Sequence, residues 1–176
     1  MENFKQIGTF NPDAIEQELN HTNLWNWLNL RRNDKTLKHY DVDDIVLRFQ
    51  SLEYNSTYES FYNNLNCIDY FTQRYLPKTF NAVLDEFPLY NIGRVMVAKL
   101  KAGGEIGLHI DEGLYAQKTD RYHMVVTSNP NVIFTAGSEA IEMPRGTIWW
   151  FNNQALHKVE NKGFEDRIHI IVDMYK

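Results

Sequence analysis

From about Tyr90 onward the chain stops presenting apolar residues at helical spacing and presents them in short runs. These runs are 94–100, 106–111, 122–127, 132–135, 147–151 and 167–174, each rich in β-branched and aromatic residues. Turn formers separate them: Gly103-Gly104, Asn129-Pro130-Asn131, Gly137-Ser138, Pro144-Arg145-Gly146 and Asn161-Lys162-Gly163. Short strands punctuated this regularly restrict the region to a sandwich or barrel. The absence of helical patterns between them argues against a parallel sheet of alternating strands and helices.

Residues 1–88 read differently, as a mostly helical region. Asn11-Pro12-Asp13 supplies an N-cap, a proline at the first helical position and an early acid, with Ala14, Ile15 and Leu19 following at helical spacing. A second short helix is expected to carry Leu24, Trp25 and Leu28. Ile45-Val46-Leu47-Arg48-Phe49 reads as a strand. Phe61, Leu65, Ile68, Phe71 and Tyr75, then Phe80, Val83 and Leu84, suit two amphipathic helices interrupted at Pro77. No repeat, low-complexity tract or linker divides the 176 residues, so one domain, 1–176, is expected.

Composition narrows the class further. Hydrophobic residues make up 43% and aromatic residues 14%, enough for a bulky core. The net charge of −5 gives no reason to expect affinity for a phosphate backbone. Cys67 is the single cysteine, which excludes an internal disulfide and a cysteine-rich zinc site. The first residues are too polar for a secretory signal, and no run approaches the roughly 18 apolar residues of a membrane span. A soluble, cytoplasmic protein with no membrane partner is therefore expected.

His109-Ile110-Asp111 lies in a strand-like run, where residues two apart share a face. It offers one imidazole and one carboxylate, and His157 follows 46 residues after Asp111. Two histidines and one carboxylate on one face of a metal leave the other face open, as in iron(II) oxygenases. His-x-Asp alone is a weak signal, equally at home in a solvated turn leading into Glu112-Gly113. Arg167, ten residues after His157, adds a planar fork suited to a carboxylate such as the distal one of 2-oxoglutarate. The alternative is an exposed arginine paired with Asp166 or Glu165.

Taken in order, five segments resemble the aspartyl/asparaginyl β-hydroxylase family. They are Gly107-Leu108-His109-Ile110-Asp111, Arg121-Tyr122-His123-Met124-Val125-Val126, Gly146-Thr147-Ile148-Trp149-Trp150-Phe151-Asn152-Asn153, His157-Lys158-Val159-Glu160-Asn161 and Arg167-Ile168-His169-Ile170-Ile171-Val172-Asp173. The resemblance implies a mainly β fold, with a double-stranded β-helix (jelly roll) over 90–176 and the N-terminal helices packed against it. It implies iron(II) held by His109, Asp111 and His157, with 2-oxoglutarate and dioxygen as co-substrates. Arg167, Arg121 and His123 would contact the co-substrate, Arg121 alternatively a substrate carboxylate. Animal members of the family have glycine where Asp111 stands, and the family's usual co-substrate serine falls on Ala98. Tyr115, Trp149 and Trp150 could shape the pocket, with ordinary core packing as the alternative.

The implied activity is hydroxylation of an amino acid or of a peptide or protein side chain. Competing readings are a non-redox metalloenzyme of cupin type, a non-catalytic jelly-roll binding domain, and an oxygenase acting on a nucleobase. The first gives Arg167, Arg121 and His123 no role, an intact triad with an intact carboxylate anchor argues against the second, and the acidic charge mildly disfavours duplex nucleic acid.

Overall fold

The structure, a computed structural model, describes residues 2–28, 38–51 and 63–176. Among them, eleven strands form two antiparallel sheets. The strands are β1 (Phe4–Thr9), β2 (Val42–Gln50), β3 (Cys67–Asp69), β4 (Ile92–Leu100), β5 (Glu105–His109), β6 (Thr119–Thr127), β7 (Val132–Ala136), β8 (Glu139–Ile141), β9 (Thr147–Phe151), β10 (His157–Asn161) and β11 (Arg167–Tyr175). The major sheet runs β1-β9-β6-β11-β4-β2-β3 and the minor sheet β5-β10-β7-β8. This is the mainly β, double-stranded β-helix architecture that the short strand runs and the family resemblance implied.

The major sheet is covered on both faces. On one side, Val95, Val97, Ile168, Ile170 and Val172 pack with Ile15 and Leu19 of helix α1 (Asp13–Asn20) and Val83 of helix α2 (Pro77–Glu86). On the other, Ala98, Leu100, Val125, Phe151 and Ile171 meet Ile106, Val132, Phe134, Ala136 and Val159 of the minor sheet. Burial on both faces explains why β11 reads as an almost unbroken apolar run rather than an alternating one. The few polar residues on its inner face, Arg167, His169 and Asp173, therefore stand out as buried polar groups that need partners.

The N-terminal half departs from the expected helical region. It contributes β1, β2 and β3 to the major sheet, so strands from both halves share one sheet. β1 went unread because it is an edge strand with only Phe4 buried, and its Lys5, Gln6 and Ile7 face outward. The short helix expected around Leu24–Leu28 is a set of turns. Asn26 there takes a positive φ of 57° and bridges to β2, its Nδ2 donating to Asp43 Oδ1 at 2.8 Å and its Oδ1 accepting from Asp44 N at 3.0 Å. Pro77 opens a helix instead of interrupting one, as befits a residue with no N–H to offer. Before it come the short β3 and a 3₁₀ turn, Phe71–Arg74. Phe61, with which the first of the two expected helices begins, falls outside the described residues.

Candidate metal centre

Two strand ends of the minor sheet bring the histidines together. His157 opens β10 and sits directly across from His109, the last residue of β5. Their ring centroids are 4.2 Å apart. The strand ends at His109, so Asp111 lies in the following loop and not on the expected strand face. Its N–H donates to Asn153 O at 3.2 Å, which turns the chain back toward the histidines. Asp111 Oδ1 then lies 3.8 Å from His109 Nε2. Potential ligand atoms of His109, Asp111 and His157 all fall within 4.8 Å of one another.

Backbone contacts prepare both imidazoles for a metal. His109 Nδ1 is 2.7 Å from Gly107 O, and His157 Nδ1 is 2.9 Å from Ala155 O. A carbonyl can only accept, so each Nδ1 carries the proton and each Nε2 keeps its lone pair. Burial pushes His157 down to about 4, outweighing the pull of Asp111, so its ring is neutral at ordinary pH. Two imidazole Nε2 atoms and one carboxylate oxygen form the donor set of a two-histidine facial site.

Arg121 is used differently from the co-substrate contact that the resemblance implied. Its Nε and Nη2 donate to Asp173 Oδ1 and Oδ2 at 2.7 and 3.0 Å, and Nη1 donates to Asp111 Oδ2 at 2.5 Å. Burial works against the charged guanidinium, but the Asp111 and Asp173 carboxylates outweigh it and raise its pKa. Asp173 is fully buried at the far end of β11. Sequence reading missed this residue, although it shares the inner face of β11 with Arg167. The result is a chain, Asp173 to Arg121 to Asp111, that holds one oxygen of the metal carboxylate and leaves the other toward His109.

A second polar cluster lies deeper between the sheets. Arg167 is 1% exposed, so the exposed ion pair with Asp166 or Glu165 does not form. Among the described residues no carboxylate pairs with it. Its Nη2 is 2.6 Å from His169 Nδ1 and 3.4 Å from His123 Nδ1. Burial holds Arg167 down to about 9 and keeps His123 and His169 well below the usual histidine range. At neutral pH the cluster therefore carries one charge, that of the arginine. Arg167 Nε, His123 Nε2 and His169 Nε2 are all buried without a hydrogen-bond partner. The Phe151 ring touches both His123 (5.2 Å) and His157 (5.1 Å), and Phe134 lies against the same two rings. One aromatic wall thus joins the arginine cluster to the candidate metal ligands.

The sequence model for aspartyl/asparaginyl beta-hydroxylase matches residues 10–176. The chain belongs to the aspartyl/asparaginyl β-hydroxylase family. No curated protein sequence matches it significantly. Among solved structures it is similar to a 2OG-Fe(II) oxygenase family oxidoreductase from Burkholderia pseudomallei, with a TM-score of 0.60 at 9% identity, covering 98% of this chain and 84% of that one. A prolyl hydroxylase from Trichoplax adhaerens, solved with a hypoxia inducible factor peptide fragment, gives a TM-score of 0.58 at 13% identity, covering 98% and 83%. At these identities the likeness establishes a shared fold.

Two features of this β-hydroxylase family member follow from the geometry. Ala98, where the family's serine was expected, lies on β4 directly opposite His169 on β11. Of the aromatic residues considered for the pocket, Trp149 packs on the core between the sheets and its N–H donates to Thr147 Oγ1 at 2.7 Å. Trp150 donates to Asp120 Oδ1 at 3.3 Å. Tyr115, in the short helix α3 (Gly113–Lys118), is buried with its hydroxyl accepting from Arg94 N at 2.7 Å. Tyr115 and Trp149 therefore serve packing.

Proposed function

We propose that the chain is an iron(II)- and 2-oxoglutarate-dependent dioxygenase that hydroxylates an amino acid or a peptidyl side chain. The observation that carries this is a fully buried arginine with no acidic partner among the described residues, set between two neutral histidines on the aromatic wall that reaches the two-histidine, one-carboxylate site. A buried cation without an anion is costly, and a bound dicarboxylate supplies the missing charge. One net positive charge matches one distal carboxylate.

His109, Asp111 and His157 would hold the metal through Nε2, Oδ1 and Nε2. Bound iron and 2-oxoglutarate supply the oxidation, in which O2 and 2-oxoglutarate give succinate, carbon dioxide and one oxygen atom in the product. Arg167 and His123 orient the co-substrate from its far end. Arg121 keeps Asp111 Oδ2 engaged, which favours one-oxygen ligation and preserves an open face. The buried rings of Phe134 and Phe151 keep water away from the faces of His123 and His157 that they cover. A cupin-type metalloenzyme without redox chemistry would leave the arginine cluster with no anion to bind.

The activity is tested by incubating protein, iron(II) and 2-oxoglutarate in air with pools of amino acids, peptides and single-stranded nucleic acid. Succinate should rise with an amino-acid or peptide pool, alongside a product one oxygen heavier. If only the nucleic acid stimulates succinate release, the substrate class is wrong while the co-substrate chemistry stands. If no pool produces an oxygenated product, the hydroxylase proposal fails.

A further inference from the structure

His169 has so far been placed beside Arg167, and its Nδ1 also lies 3.1 Å from His123 Nδ1. A guanidinium has only donors, so His169 Nδ1, 2.6 Å from Arg167 Nη2, must accept. The neutral ring then carries its proton on Nε2, and that N–H is buried without an acceptor. The ring is 1% exposed and faces the inner core, with Ala98 on β4 and Val125 on β6 as its cross-strand neighbours. A sealed donor with no acceptor is unfavourable in the empty fold, and a ligand acceptor removes that cost.

We propose that His169 donates from Nε2 to the distal carboxylate beside Arg167 and sets which 2-oxo acid the site accepts. This rests on the 2-oxoglutarate reading above and adds a specificity residue to it. His169 has two separable tasks, receiving Arg167 at Nδ1 and donating to the ligand at Nε2. Together with Arg167 it would bound the place of the distal carboxylate. Removing the ring frees space beside the guanidinium, where the extra methylene of 2-oxoadipate fits.

The test is anaerobic calorimetry on the full chain loaded with Mn(II), titrated with 2-oxoglutarate and with 2-oxoadipate. Wild type should bind 2-oxoglutarate more tightly. His169→Ala should weaken that binding by about tenfold or more, the usual loss for a hydrogen bond to a charged group, and shift the ratio toward 2-oxoadipate. Gln places an amide near the position of Nε2, so His169→Gln should retain affinity within a few-fold. Asn places a carbonyl near Nδ1 but nothing at Nε2, so His169→Asn should lose affinity as Ala does. Mn(II) affinity should be unchanged throughout, and melting curves report whether each variant folds. If Ala does not fold, the Asn and Gln pair decides. Wild-type affinity in His169→Asn would reduce His169 to a support for Arg167 and overturn the proposal, as would an unchanged ratio in His169→Ala. Wild-type protein that binds neither acid would overturn the co-substrate reading itself, a distinct result.

Discussion

Asp173 shows how far the candidate site extends beyond His109, Asp111 and His157. It is fully buried, and its carboxylate grips Arg121, which in turn grips Asp111. Asp173→Asn keeps the shape but removes one charge from this chain, so Asp111 is held less firmly. Mn(II) affinity is expected to fall by about tenfold to a hundredfold, read by calorimetry, although Asp173 is not a ligand. The same buried polar groups set the acid stability. His123, His169 and His157 all have folded-state values below the ordinary 6.5, because burial disfavours the charged ring. Between those lowered values and 6.5 the unfolded chain binds more protons than the folded one, so stability falls as pH drops below about 6.5. Denaturant melts at pH 7.5 and 5.5 should show the loss; a flat profile would mean that these rings are not buried neutral. At this scale spacing alone was weak, and His109, Asp111, His157 and Arg167 became legible as a set only through their order within the segments that resemble the family. Arg121's true partners could not, since its pairing with Asp173 is made across 52 residues and between neighbouring strands.

Elements with a clear hydrophobic period were legible, and those shaped by long-range contacts were not. The cores of β2, β4, β6, β7, β9 and β11 were all visible as apolar runs. β10 escaped notice because its charged Lys158 and Glu160 alternate with buried His157, Val159 and Asn161, a pattern too short and polar to separate from a loop. Helix α2 depends on a distant partner as well. Glu18 of α1 accepts from Lys78 N at 3.0 Å, Thr79 N at 2.8 Å and Thr79 Oγ1 at 2.7 Å, satisfying donors at the helix start. Glu18→Ala should destabilise the fold by about 0.5–2 kcal/mol in chemical denaturation, the range for a lost N-terminal cap, with the metal site intact. A tighter constraint sits at Gly93 on β4, where a Cβ would lie 2.4 Å from the Tyr115 hydroxyl. Gly93→Ala must push α3 away from the sheet, and a cost of about 1–3 kcal/mol is expected for such overpacking. The loop carrying Asp111 lies between β5 and α3, so this variant should also weaken metal binding, a coupling that Glu18→Ala should lack.

Across the whole molecule, the two sheets divide the work. The major sheet supplies Arg121, His123, Arg167, His169 and Asp173, while the minor sheet supplies His109 and His157 at facing strand ends. Helices α1 and α2 cover the outer face of the major sheet, which leaves its inner face for the polar groups. None of the described helices is long and apolar enough to cross a membrane. The proposal that this fold joins iron to 2-oxoglutarate can be read optically, because a 2-oxo acid chelated to iron(II) gives a visible charge-transfer band. Anaerobic absorbance titration of the full chain with both components is the decisive measurement. A band should appear only when iron(II) and 2-oxoglutarate are present together. It should disappear in His157→Ala, and in Arg167→Ala it should need about tenfold or more 2-oxoglutarate to saturate. Absence of the band in wild-type protein, or saturation unchanged by Arg167→Ala, would contradict the proposed site.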